Sequence, residues 1–175
     1  MTDFTMIKKL FHITKRNGFS HDEIQTIKNN FGELPQVFID YYLELGKDER
    51  LNHTQDSLIK PEQFQYFKHS KYLIFYCENQ RACVWGIHRN DLSRSNPPVY
   101  MSYDEKVWKM EFETLTDFFR RWPICKPYSL LNTAVYRSIP LNKPTWILFV
   151  KILKTKVFPF GIGLASNFMG ITMTA

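Results

Sequence analysis

Apolar residues recur along the chain in two periods, and the switch between them marks out the elements. From Ser20 the pattern is helical: Ile24, Ile27 and Phe31 share one face. Ser20 and Glu23 form an S-x-x-E capping box ahead of them, and Gly32 suits the C-terminal stop. A second helix is expected from Leu34-Pro35, because a proline in the first turn loses no needed N–H. Its apolar stripe is Val37, Phe38, Tyr41, Tyr42 and Leu45, and Gly46 ends it. Of the adjacent Tyr41 and Tyr42, one is expected in the core and the other at its rim. Residues 4–16, mixed apolar and basic, read as a further short helix before an Arg16-Asn17-Gly18 turn.

From Tyr72 the period changes to two. Leu73, Phe75 and Cys77 alternate with Tyr72, Ile74 and Tyr76, so both faces are apolar and the strand is expected inside a sheet. The polar turn Glu78-Asn79-Gln80-Arg81 leads to a second run, Ala82–Ile87, and the two predict an antiparallel hairpin. Pro97-Pro98 favours extended backbone before Val99-Tyr100-Met101. Trp108 to Met110 reads as one more short strand. Thr114-Leu115-Thr116-Asp117 opens a helix that turns Leu115, Phe118, Phe119 and Trp122 inward and is expected to stop at Pro123. Lys47 to Lys71 is polar and irregular, with a weak strand signal at Leu58-Ile59. The order predicts an α+β domain over residues 1–125, with N-terminal helices and a later helix packed on an antiparallel sheet. From Lys126 the patterning weakens, and residues 126–175 read as a basic, apolar C-terminal extension.

Composition agrees with a packed domain: the chain of 175 residues is 44% hydrophobic and 16% aromatic. Its net charge of +6 suggests nucleic acid until the charges are placed. All 17 acids lie at or before Asp117, against 17 Lys and Arg through Arg121. The whole excess comes from Lys126, Arg137, Lys143, Lys151, Lys154 and Lys156. A neutral body with a basic tail is not the continuous basic face of a nucleic-acid binder, so no direct nucleic-acid partner is expected. Three cysteines without a C-x-x-C pair, Cys77, Cys83 and Cys125, read as reduced core thiols. The N-terminus carries no secretory h-region, and a cytoplasmic protein is expected.

No enzyme motif survives inspection. His88-Arg89-Asn90-Asp91 lacks the order and the companions of a kinase catalytic loop. His12, His21, His53, His69 and His88 never fall at metal-ligand spacing. Gly161 and Gly163 lack the rest of a nucleotide-binding fingerprint. No catalytic residue, metal site or cofactor is assigned, and Trp85 and Trp108 read as packing residues. The acids Asp48, Glu49, Asp56 and Glu62, with Asp104 and Glu105, leave two readings: an ordinary solvated surface, or a patch that meets a basic partner. Val157 to Ala175 carries no charge and follows three lysines, so the tail has three readings: packing elements, an atypical extension, or membrane contact.

The ordered features resemble the SUKH superfamily, which includes bacterial immunity proteins and fungal cell-wall-assembly regulators. The resemblance rests on Leu34-Pro35 opening an aromatic helix closed by Gly46, then Tyr72–Tyr76, Glu78-Asn79-Gln80, and Val84-Trp85-Gly86-Ile87. Asn96-Pro97-Pro98-Val99-Tyr100, Trp108 and the Leu115–Phe119 helix complete it, over roughly residues 18 to 122. It implies helices on an antiparallel sheet, no catalysis, and a protein that neutralises a cognate toxin, commonly a nuclease, by stoichiometric binding. A non-catalytic adaptor or regulatory scaffold is the alternative it carries. Basic clefts are common among nuclease toxins, which makes the six acids the expected contact residues.

Overall fold

A computed structural model of the chain describes residues 2–54 and 56–125. They belong to one unit, residues 1–126. The C-terminal extension expected from residue 126, with its basic excess, lies outside the described residues. Three helices come first: α1 (Thr5–Leu10), α2 (His21–Phe31) and α3 (Gln36–Leu45), followed by the single turn α4 (Glu49–Asn52). Five strands follow as a simple meander, β1 (Asp56–Leu58), β2 (Tyr72–Glu78), β3 (Val84–His88), β4 (Val99–Ser102) and β5 (Lys109–Phe112). Each pairs antiparallel with the next, in the order β1-β2-β3-β4-β5. The helix α5 (Leu115–Cys125) closes the described part. The fold is the expected α+β class.

Local chemistry explains most of the boundaries. The Ser20–Glu23 capping box is formed in both directions, and Gly32 ends α2 at φ +80. Pro35 caps α3. Asn96 Oδ1 accepts from the Thr116 N–H at 2.9 Å, and the Pro97 carbonyl accepts from Leu115 N–H at 2.7 Å. The loop before β4 thus holds the start of α5. Thr114 and Asp117 bond reciprocally across the same first turn. The first helix is shorter than residues 4–16, because Phe11 ends it and His12 turns the chain at φ +53. The last helix is longer than expected. It runs through Pro123 to Cys125.

The core lies between the helices and one face of the sheet, and it is aromatic throughout. Phe38 of α3 stacks on Tyr42 at 4.1 Å and meets Phe75 of β2 edge-on at 6.2 Å. Tyr41 stacks on Phe119 of α5 at 3.7 Å, and Phe118 stacks on Trp122 at 5.4 Å. Each such pair adds about 0.5–1.5 kcal/mol beyond the area it buries. Both Tyr41 and Tyr42 are buried, against the expectation of one at the rim. Their hydroxyls have acceptors inside: Asn52 Oδ1 at 2.9 Å for Tyr41 and the Ile59 carbonyl at 2.8 Å for Tyr42. A phenol can be wholly buried once its O–H is matched.

Strand β2 departs from strict alternation. Ile74 pairs with Gly86 and Tyr76 with Trp85, so Phe75 is an extra residue in a bulge. The bulge lets Phe75 and Tyr76 both reach α5: each contacts Phe118, at 5.1 and 5.5 Å. Cys77 pairs with Val84 rather than with Cys83, and both thiols are free. Burial pushes Cys77 up to about 11 and Cys83 up to about 12, which leaves them inert near neutral pH. No helix among the described residues is long and apolar enough to cross a membrane.

Candidate partner-binding surface

The sheet has a helix-covered inner face and an outer face. Ile74, Gly86, Tyr100 and Met110 occupy one rung across four strands on the outer side. Tyr72 and His88 form the next rung of β2 and β3. On that face an aromatic group has assembled. Trp108 stacks on Tyr72 at 4.0 Å with rings 11° apart, and Tyr72 meets Tyr100 edge-on at 5.6 Å. Gly86 leaves the room for Trp108, since a Cβ there would sit 3.1 Å from its ring. Trp108 is thus a packing residue, and the glycine before Ile87 is what admits it.

Trp108 ends the β4–β5 loop, residues 103–108, and that loop is held from several sides. Asp104 Oδ1 accepts from the backbone N–H of Lys106 and of Val107, both at 2.9 Å, and from the Ser102 hydroxyl at 3.1 Å. Those backbone bonds, the Val107 one foremost, hold the Asp104 carboxyl below the usual range. The Glu105 carbonyl receives the Trp108 indole N–H at 3.2 Å and the His69 Nε2–H at 3.0 Å. The His69 tautomer follows from its other nitrogen, which accepts from the N–H groups of Lys71 and Tyr72. The Glu105 carboxylate pairs with Arg81 of the β2–β3 turn at 2.9 Å. Arg81 in turn lies over the Phe67 ring at 5.1 Å.

Arg81 and Glu105 are both non-glycine residues in left-handed backbone, each at φ +58. Such a conformation costs about 1 kcal/mol or more per residue, and an exposed ion pair returns less than that. The loop is therefore held by its whole set of bonds, not by the ion pair alone. It displays the apolar Tyr103 and Val107 beside the charged Asp104 and Lys106. Among the described residues the exposed large hydrophobic side chains are Tyr66 at 72%, Tyr103 at 71%, Val107 at 62% and Met110 at 51%. Three of them flank or belong to this loop. The fourth precedes Phe67, the ring under Arg81.

The six acids expected to form a contact patch are not one exposed surface. Asp48 is 3% exposed and Asp56 5% exposed. Asp48 caps α4 and pairs with Arg50 at 2.6 Å, so its charge serves the fold. Asp56 lies in the edge strand β1. Asp104 and Glu105 hold their own loop, as described. Glu49 and Glu62 are exposed. Glu78 shapes the hairpin turn: its carboxylate accepts from Gln80 N–H at 2.8 Å and Ala82 N–H at 3.1 Å. The motif residues Leu34, Pro97, Pro98 and Trp85 are buried, as their packing role requires.

Tyr103 and Val107 were not singled out from the sequence. The available signal was an apolar pair inside a short charged turn, Tyr103-Asp104-Glu105-Lys106-Val107, where solvent alone would favour polar residues. No group of three or more His, Cys, Asp or Glu among the described residues is placed to hold a metal ion. No family model, curated protein or solved structure matches this chain.

Proposed function

We propose that this chain is a non-catalytic, immunity-type binding protein that neutralises a cognate toxin by covering it, one molecule to one. The resemblance of residues 18 to 122 to the SUKH superfamily motivates the class of activity. The observation that carries the reading is the loop from Tyr103 to Val107. It is held rigid by a carboxylate cap, an ion pair and two bonds to one carbonyl, yet it presents apolar side chains to solvent. A surface ordered in advance gives up little entropy on binding, and a few aromatic or aliphatic anchors can carry most of the affinity. An interface of about 1,600 Å² is the ordinary size for such a complex.

The test is co-expression with the product of the gene immediately upstream. The expected result is rescue of growth and co-purification as an equimolar complex. A toxic upstream product that this chain neither neutralises nor binds would end the reading. Binding without rescue would instead favour the adaptor alternative.

A further inference from the structure

We draw no further inference here: the strongest candidate, the exposed apolar face that Tyr103, Val107 and Met110 form around the β4–β5 loop, belongs to the surface already described, and nothing in the structure shows what covers it.

Discussion

At the scale of single residues, buried polar side chains and the spaces left by glycine set the sharpest constraints. Asn52 is fully buried, and its amide donates to the Leu45 carbonyl at 2.7 Å and the Gly46 carbonyl at 3.2 Å while its oxygen accepts from Tyr41. Asn52→Ala would strand all three partners, and a loss of about 2–4 kcal/mol is expected in urea denaturation. Tyr41→Phe removes one donor and should cost only about 1 kcal/mol. Gly46 tests a different cause. Its backbone is right-handed, yet an added Cβ would lie 2.6 Å from the Phe19 ring and 2.7 Å from the Tyr42 carbonyl. Gly46→Ala should therefore destabilise by about 1–3 kcal/mol through overpacking. Gly32→Ala meets nothing within 4 Å, yet its backbone at φ +80, ψ −134 is one that side-chain-bearing residues rarely adopt, so it should cost about 1–3 kcal/mol through backbone strain alone.

Asp40 adds a dependence on pH. Burial would raise its carboxyl, but hydrogen bonds from Thr2 N–H, the Gln36 amide and the Thr2 hydroxyl outweigh burial and hold it below the usual value. A carboxylate lowered by folding contributes stability above its unfolded value, about 3.9, and that contribution is lost as pH falls through the folded value. Wild type should exceed Asp40→Asn by about 1–2 kcal/mol at neutral pH, and the gap should close below about pH 4. A constant gap across that range, measured by denaturation at several pH values, would separate Asp40 from the acid sensitivity of the fold.

At the scale of elements, the parts with local causes were legible and the parts decided by long-range packing were not. The capping box at Ser20, the proline at the head of α3 and the alternating runs of β2 and β3 are local signals, and each sits where its residues placed it. The bulge at Phe75 left no trace in composition, because its cause is α5, which draws two consecutive rings to one side. The region from Lys47 to Lys71 looked irregular because α4, β1 and the 3-10 turn Pro61–Tyr66 are each too short for a period to show. The burial of Asp48 and Asp56 among the six acids was hidden in the same way. Nothing in the sequence tells a solvated Asp48 from one that caps a turn beneath Arg50. The outer face offers a test at this scale. Trp108→Ala removes the ring stacked on Tyr72 and the indole bond to Glu105, so it should cost about 3–5 kcal/mol and also loosen the loop. Trp108→Phe keeps part of the stack and should recover roughly half of that loss in the same melting assay.

At the scale of the whole molecule, charge is divided unevenly, and the division bears on how any partner is met. Residues up to Arg121 carry equal numbers of acids and bases, while the six later cations account for the net +6. Two features are therefore separable: the balanced body up to Arg121, and the excess carried by residues 126–175. Bulk behaviour such as retention on a cation exchanger reports the second, because a balanced body has little net field beyond a Debye length of about 10 Å at ordinary salt. Replacing Lys126, Arg137, Lys143, Lys151, Lys154 and Lys156 by Gln should move the protein from the bound fraction to the flow-through at neutral pH. The same replacement should leave association with the partner nearly unchanged if the loop face guides docking. Should retention persist after the six replacements, the positive surface lies within residues 1–125, and the even balance of that region would conceal a strongly one-sided arrangement. Should partner association fall in step with retention, steering belongs to the basic segment and not to the loop face.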